Sequence, residues 1–223
     1  MTTRVQQAAS KRKGHKWFAA LFDPLNRITG TETKFLAKYR PHVAGEATGH
    51  VLEVGAGTGA NLAFFAKADT VIVTEPDPYM LERARKRLAE LGGKNIELAQ
   101  HAAEELPFPD ATFDSVVSTM VFCSVADPNR ALAEVSRVLK ASGSFRFVEH
   151  VRPEKGVKAR VFDAITPIWR WFGAGCHPNR RTLESIKEAG FEVAELKLET
   201  HSGMPVIIGV AVPRNSANRG ANA

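Results

Sequence analysis

The sequence has little cysteine, no long apolar run and no internal repeat. Cys123 and Cys176 are too few for a disulfide framework in 223 residues, and the chain has no close cysteine or histidine spacing typical of a metal site. We therefore expect a reducing, cytoplasmic setting and no metal ion. No segment approaches the roughly 18 consecutive apolar residues that span a bilayer. The basic N-terminus is not followed by an apolar signal core, so secretion is not expected.

The net charge of +6 is concentrated at one end of the chain. Residues 1–40 contain nine lysines and arginines against two acids, so the rest of the chain is close to neutral. We predict a flexible basic arm over 1–15, cap helices over 16–44, one main domain over 45–213 and a disordered tail over 214–223.

Two interpretations of the basic end stay open. Residues 1–22, with Trp17 at helical spacing from other apolar residues, either rest on an anionic membrane surface or are a solvated arm. Nucleic acid is not expected as a partner, because the basic charge belongs to the arm and not to the domain. We expect a monomer or a weak homodimer.

The most informative segment is Val51-Leu-Glu-Val-Gly-Ala-Gly-Thr-Gly-Ala-Asn61, where an apolar strand runs into three glycines. Glycine allows a sharp turn and lets a ligand approach the backbone without interference from a Cβ atom. The free N–H groups that follow then face that ligand. The glycines alone do not identify the cofactor, since Gly55-x-Gly57-x-x-Ala60 also fits a dinucleotide fingerprint.

Strands and helices alternate along the domain, and two strands follow each other at its end. This order predicts an α/β fold, namely a Rossmann-like, doubly wound, mostly parallel seven-stranded sheet with a C-terminal antiparallel strand pair. The predicted strands cover 50–54, 71–74, 96–99, 113–121, 144–151, 191–199 and 205–212. The predicted helices cover 61–67, 79–91, a segment from Asp127-Pro128 through Leu139 to near Gly143, and 182–189, with a less regular insertion over 152–181.

Four segments together resemble a class I S-adenosylmethionine-dependent methyltransferase. They are Glu53-Val-Gly-Ala-Gly-Thr-Gly59, Glu75 after the second strand, Ala103-Glu-Glu-Leu-Pro-Phe-Pro-Asp-Ala-Thr-Phe-Asp114, and the closing strand pair. Segments 118–125, 149–151 and 175–180 look like the methyltransferase-like-7 group, which is associated with methylation of small thiols. Animal members of that group carry an apolar membrane anchor that we do not see here, so membrane residence is not expected to carry over. Bacterial phosphatidylethanolamine and ubiquinone-pathway methylases are more distant relatives.

The resemblance implies S-adenosylmethionine as cofactor and a set of residues that hold it. Glu75 is placed to accept hydrogen bonds from both ribose hydroxyls. Glu53 either helps to hold the amino-acid end of the cofactor or is a structural carboxylate at the end of its strand. The full predicted cofactor set is Glu53, Gly55, Ala56, Gly57, Gly59, Asn61, Glu75, Pro76, Ala103, Glu104 and Thr119.

The acceptor side is predicted from the end of the fifth strand and from the insertion. His150 is the predicted catalytic residue, either as a base that takes a proton from a thiol or hydroxyl, or as a group that orients a loop. Cys123 is expected to be a buried apolar filler and not a nucleophile. The predicted acceptor contacts are Trp17, Phe122, Trp169, Cys176, His177 and Arg180. Alternatively, Cys176, His177 and Arg180 only fold the insertion, Trp169 packs in the core, and Trp17 docks on the core or rests on a membrane surface.

The sequence therefore predicts methyl transfer from S-adenosylmethionine to a small, fairly apolar acceptor, with a thiol as the leading choice. One alternative is phosphatidylethanolamine N-methylation at a membrane surface. Others are an NAD-type oxidoreductase on the same sheet, and a non-catalytic protein that binds a cofactor or nucleic acid.

Overall fold

The computed structural model describes residues 16–93, 95–154, 156–172 and 175–214. The helices are α1 (Lys16–Thr29), α2 (Ala37–Val43), α3 (Pro78–Leu91), α4 (Pro128–Val138), α5 (Val157–Phe172) and α6 (Thr182–Glu188), with a π-helix at Thr31–Leu36. The strands are β1 (Gly49–Val54), β2 (Ala68–Thr74), β3 (Ile96–Ala99), β4 (Phe113–Thr119), β5 (Leu139–His150), β6 (Phe191–His201) and β7 (Met204–Pro213).

All seven of these strands form one sheet in the order β3-β2-β1-β4-β5-β7-β6. Strands β1 to β5 pair in parallel, whereas β7 runs antiparallel between β5 and β6. The predicted fold class is therefore confirmed. The strand order reverses between β1 and β4, and in such sheets ligands bind beyond the carboxyl ends of the strands at that reversal.

The sheet is buried on both faces, as its continuous apolar strands predict. Neighbouring residues of β1 point to opposite sides, so that Leu52 and Val54 join one buried cluster and Val51 joins the other. Helix α4 covers the first face with Leu132 and Val135, which are fully buried. This packing fixes the strand ends that carry the site.

Two helices begin at aspartate-proline pairs, as predicted for Asp127-Pro128. The Asp77 carboxylate accepts hydrogen bonds from the N–H groups of Tyr79 and Met80 at the start of α3. Asp127 does the same for the first turn of α4. Proline occupies the first helical position in both helices, where its missing N–H leaves no hydrogen bond unmade.

Several predicted boundaries are wrong. The helix predicted over 61–67 is a series of turns, because the Asn61 side chain enters a buried hydrogen-bond network and β2 already begins at Ala68. Strand β4 ends at Thr119 and not at 121. The helix predicted to include Leu139 ends at Val138, since the backbone of Leu139 is extended and pairs with β4.

The insertion over 152–181 is more regular than predicted, because it contains the 16-residue helix α5. Its inner face is made by Ala159, Phe162 and Thr166, which are buried at helical spacing. The opposite face also carries large apolar residues, so the sequence shows no clear polar side. The predicted arm over 1–15 and nearly all of the predicted tail, 215–223, lie outside the described residues.

Candidate active site at the carboxyl ends of the parallel strands

The glycine-rich turn follows β1 at the point where the strand order reverses. Gly55, Gly57 and Gly59 have φ values of 62°, 58° and 78°, a conformation that favours glycine. A Cβ atom on Gly55 would lie 2.8 Å from the Val121 side chain, so this glycine is needed for packing. A Cβ atom on Gly57 would meet nothing within 4 Å, so the turn is open at this residue. The predicted approach of a ligand to the backbone therefore fits best at Gly57.

Glu53, at the end of β1, is the centre of a buried polar network. Its Oε1 accepts a 2.7 Å hydrogen bond from the Asn61 amide, which also donates to the Thr119 hydroxyl at 3.1 Å. Arg40 of α2 donates a hydrogen bond to the side-chain amide oxygen of Asn61. Glu53 Oε2 is buried without a hydrogen-bond partner in the described part of the chain. Burial raises the pKa of Glu53 to about 7, although the bond from Asn61 acts in the opposite direction.

An unpartnered buried carboxylate oxygen requires an explanation, because leaving it unpaired is costly. A cationic ammonium group, such as that of the amino-acid end of S-adenosylmethionine, would supply the missing donor. Three of the predicted cofactor residues, Glu53, Asn61 and Thr119, are thus brought together around one place that fits the cofactor. Arg40 was missed by the sequence analysis, because nothing in its local sequence signals a buried arginine.

Glu75 follows β2 and faces the same turn. Its Oε2 accepts a 2.8 Å hydrogen bond from the Gly57 N–H, and its Oε1 accepts one from the Asp77 N–H at 2.9 Å. The carboxylate therefore shapes the glycine-rich turn, and its contact with the ribose stays a prediction. Nearby, the Ala56 N–H donates to Thr74, and the Pro76 carbonyl accepts from the Gln100 side chain.

Ala103 and Glu104 follow β3 at the same sheet edge. The side chain of Ala103 is buried in the core. Glu104 Oε1 accepts a 2.8 Å hydrogen bond from the Ala126 N–H, just before α4. The structure thus gives Glu104 a role in holding the loop after β4, and its contact with the cofactor stays a prediction.

Helix α1 contacts the cofactor turn through a residue that the sequence did not single out. Asp23 accepts a 2.7 Å hydrogen bond from the Thr58 hydroxyl. The same carboxylate accepts a bond from Arg83 of α3 at 3.1 Å. A lone aspartate in an amphipathic helix normally faces water, so its sequence context carries no signal for this contact.

The acceptor side is organised by Glu149, which is fully buried near the end of β5. Its carboxylate accepts hydrogen bonds from the Ser118 hydroxyl and from the N–H groups of Val121 and Phe122, each at 3.0 Å. Burial raises its pKa to about 7 against the lowering effect of these bonds. Glu149 therefore fixes the loop after β4. Its signal in the sequence is an acid in an otherwise apolar strand end.

The loop after β4 also begins with an unusual backbone. Met120 has a φ of 58°, a conformation that is uncommon for residues other than glycine. The Met120 N–H donates a 2.7 Å bond to Val148 of β5, which holds this turn in place. Such strain often occurs at functional sites.

The segment after α5 closes over this loop. The His177 N–H donates a 2.7 Å bond to the Cys123 carbonyl, and Arg180 Nη1 donates one of 2.6 Å to the Phe122 carbonyl. The Thr182 hydroxyl bonds the carbonyl of His150. The ring of Phe122 itself is fully buried and packs edge-on against Phe145, so it belongs to the core and only its backbone faces the acceptor side.

These contacts bring Cys123, His150 and Cys176 together. The Cys176 sulfur lies 3.7 Å from His150 Nδ1, and one ligand-type atom from each of the three residues lies within 4.8 Å of the others. Trp169 lies beside the Cys176 thiol and, after Cys123, helps to lower its pKa. The hydrogen bond between the two thiols raises the pKa of Cys123, which burial raises further, and it lowers the pKa of Cys176.

The predicted acceptor residues are thus mostly brought together. Around one place lie Cys176, His177, Trp169 and His150, and Arg180 donates a hydrogen bond to the backbone of the loop after β4. The side chain of Trp17 lies outside the described residues. His150 Nε2 is buried and has no hydrogen-bond partner among the residues that the structure describes. Within those same residues, no helix has the length and apolarity needed to cross a membrane.

Comparison with known proteins agrees with this geometry. The family description "Methyltransferase domain" matches residues 52–147. The human thiol S-methyltransferase TMT1B is 31% identical over 193 residues, which cover 85% of this chain and 72% of the human protein. The chain belongs to the S-adenosylmethionine-dependent methyltransferases.

Further relatives of this methyltransferase have different acceptors in their names. The rat thiol S-methyltransferase TMT1B is 35% identical over 150 residues, covering 66% of this chain and 62% of the rat protein. The phosphatidylethanolamine N-methyltransferase of Cereibacter sphaeroides is 39% identical over 118 residues, covering 52% and 58% of the two chains. This methyltransferase therefore spans about three fifths of the length of the first of these relatives.

Solved structures of low identity share the fold. Geranyl diphosphate methyltransferase in complex with S-adenosylmethionine has a TM-score of 0.65 at 16% identity, over 92% of this chain and 94% of its own. The [4+2]-cyclase SpnF has a TM-score of 0.70 at 18% identity, over 89% and 95% of the two chains. The fold thus also supports a reaction named as a cyclisation, so the acceptor side of the methyltransferase has to be argued from its own residues.

Proposed function

We propose that this methyltransferase transfers the methyl group of S-adenosylmethionine to the sulfur of a small, fairly apolar thiol. The observation that carries the proposal is the buried group of Cys123, His150 and Cys176 on the acceptor side of the site. The similarity to thiol S-methyltransferases over most of the chain supports the same acceptor class.

Bound S-adenosylmethionine supplies an electrophilic methyl group with a good leaving group, so the protein contributes mainly by positioning. Glu53 would hold the ammonium of the cofactor through its unpartnered oxygen, and Glu75 would hold the ribose hydroxyls. The open backbone at Gly57 would let the cofactor pass close to the turn.

The chemistry of the acceptor side favours a soft, neutral acceptor over a cationic amine. Glu149, the acid that acts on Cys176, already accepts three hydrogen bonds from the β4 end. The other groups around Cys176 are sulfur, imidazole, indole and the Arg180 guanidinium, whose positive charge disfavours a cationic acceptor. A thiol must lose its proton to attack the methyl group, and we assign His150 to promoting that loss.

The test is transfer of a labelled methyl group from S-adenosylmethionine to a simple alkyl thiol, with phosphatidylethanolamine vesicles assayed in parallel. We expect label in the thioether and none in the lipid. Label in the lipid alone, or in neither product, would refute the thiol assignment. A Glu75→Ala variant serves as control, since both activities should depend on the cofactor site.

Lipid methylation is the second candidate, because α1 has an exposed apolar row. Leu21, Leu25 and Ile28 are 61%, 51% and 83% exposed at helical spacing, next to the basic N-terminal residues. Such a row suits the surface of an anionic membrane. This candidate requires co-sedimentation with anionic vesicles that is lost when residues 1–22 are deleted.

A further inference from the structure

The two cysteines of the chain and His150 form a group with the composition of a soft-metal site. One sulfur or nitrogen atom from each residue lies within 4.8 Å of the others, and the Cys176 sulfur is 3.7 Å from His150 Nδ1. In tetrahedral coordination by Zn²⁺, with bonds of about 2.3 Å to sulfur and about 2.1 Å to nitrogen, neighbouring ligand atoms are roughly 3.6–3.8 Å apart. The group is therefore within about 1 Å of that geometry.

Three different parts of the fold supply these ligands. Cys123 comes from the loop after β4, His150 from the end of β5, and Cys176 from the segment that follows α5. The backbone of two of them is held nearby: His177 donates a hydrogen bond to the Cys123 carbonyl, and Thr182 donates one to the His150 carbonyl. A metal site is more precise when its ligands are held in this way by surrounding hydrogen bonds.

The environment of the group also suits a metal. Both sulfur-bearing residues are buried, at 1% and 7% exposure. The imidazole nitrogen that faces the Cys176 sulfur is Nδ1, so Nδ1 is the ligand atom that His150 offers to a metal. The group lies at the same sheet edge as the glycine-rich turn. Val121, in the same loop as Cys123, has its side chain 2.8 Å from where a Cβ atom of Gly55 would be.

We propose that Cys123, His150 and Cys176 bind one thiophilic divalent cation such as Zn²⁺, with the fourth coordination position open to the acceptor. Sites with three protein ligands and an open position are typical of catalytic zinc. The ligands are distant in sequence, which is why the spacing of cysteines and histidines predicted no metal.

The role of the cation rests on the proposed function. A thiol that coordinates the cation loses its proton to solvent and becomes a thiolate. Its sulfur then forms a bond to the methyl carbon, while the bond from that carbon to the sulfonium sulfur breaks and its electron pair stays on the leaving thioether. His150 is then a ligand, and the proton of the acceptor is removed without a separate base.

Metal binding is tested first, without any activity measurement. The reduced, metal-depleted protein is titrated with Co²⁺, whose bonds to thiolate give charge-transfer absorption in the near ultraviolet. Because the chain has only two cysteines, such absorption can arise only from this group. We expect one Co²⁺ per chain, displaced by Zn²⁺. Absence of the absorption after full reduction would overturn the site.

Variants locate the site. Loss of a residue that only supports a metal ligand typically costs about 10–100-fold in affinity. Loss of a ligand itself costs more, so Cys176→Ser should weaken Co²⁺ binding by at least about 100-fold. The control is His42→Gln on the surface of α2, whose side chain is 47% exposed and which should bind Co²⁺ as before. Equal binding by Cys176→Ser and His42→Gln would overturn the proposal.

Activity then separates the metal role from the thiol assignment. His150→Cys keeps three soft ligands but removes the imidazole, so it should still bind Co²⁺, whereas His150→Ala should lose both Co²⁺ binding and thiol methylation. Full turnover by metal-free protein would overturn the role of the cation while leaving the thiol assignment in place. A normal Co²⁺ spectrum without thiol methylation would refute the proposed function and leave the metal site standing.

Discussion

Binding of the cofactor should depend on pH through Glu53. Burial raises the pKa of this carboxyl to about 7 in the free protein, and its Oε2 has no partner among the described residues. Only the ionised carboxylate can pair with the ammonium of S-adenosylmethionine or S-adenosylhomocysteine. Affinity should therefore rise with pH and be half-maximal near pH 7, which is the opposite of what a histidine-dependent anion site would show.

The size of the effect follows from the fraction ionised. With a pKa of about 7, that fraction is about one in eleven at pH 6 and about ten in eleven at pH 8, which gives roughly a tenfold change in affinity. Linkage also requires release of about half a proton from Glu53 on binding at pH 7. Calorimetry of S-adenosylhomocysteine binding in buffers with different ionisation enthalpies measures both quantities.

The matched control is Glu53→Gln, which can still accept the hydrogen bond from Asn61 but cannot ionise. It should bind the ligand more weakly at pH 8, and any remaining pH dependence belongs to the ligand itself. If the wild-type protein and Glu53→Gln show the same pH slope, the ammonium does not pair with Glu53 and the reasoning fails.

Other perturbations have distinct expected results. Glu75→Ala should weaken cofactor binding by more than about tenfold, because a carboxylate that orders the turn and accepts two donors is lost; unchanged calorimetric affinity would remove that role. His150→Ala should lower turnover severely and leave cofactor affinity nearly intact, and full turnover in a methyl-transfer assay would reject its catalytic assignment. Glu149→Gln should lower the free energy of unfolding in urea by about 1–3 kcal/mol at low pH, where wild-type Glu149 is protonated, because it leaves a buried N–H without its acceptor. The folded-state pKa of Glu149 is raised from 4.5 to about 7, so its contribution to the free energy of unfolding is fully present below pH 4.5 and is lost as pH rises through 7. Glu149→Gln should therefore flatten the dependence of stability on pH between these values, and an unchanged dependence would contradict the shift. Gly57→Ala and Gly92→Ala place a side chain at similar φ values of 58° and 66° with no clash, so only Gly57→Ala should lose cofactor affinity, and equal loss in both would argue against close passage of the cofactor over the turn.

The fold and the donor side of the site were largely predictable from the sequence. The apolar strands, the aspartate-proline helix starts and the glycine-rich turn are local signals, and they placed Glu53 and Glu75 at the correct strand ends. The resemblance to methyltransferases added the segment around Ala103. These features depend on neighbours in sequence, so a linear reading can find them.

The rest of the site depends on contacts between distant parts of the chain. Arg40 meets Asn61 only because α2 packs against the turn, and Asp23 meets Thr58 only because α1 does so. The 61–67 segment has the pattern of a helix, but the tertiary hydrogen bonds of Asn61 override it. Helix α5 was read as irregular because both of its faces carry apolar residues.

Arg180 and His177 each donate a hydrogen bond to a carbonyl of the loop after β4, and together they form a clamp on that loop. The place of this clamp in the chain bears on how the enzyme can diversify. The domain match ends at residue 147, whereas Glu149, His150 and the segment that carries the clamp all come later in the chain. Most of the predicted acceptor side therefore follows the matched domain in the sequence, although Cys123 lies within it. We therefore expect substitutions in the roughly thirty residues after β5 to change the acceptor while the residues predicted to bind the methyl donor stay as they are.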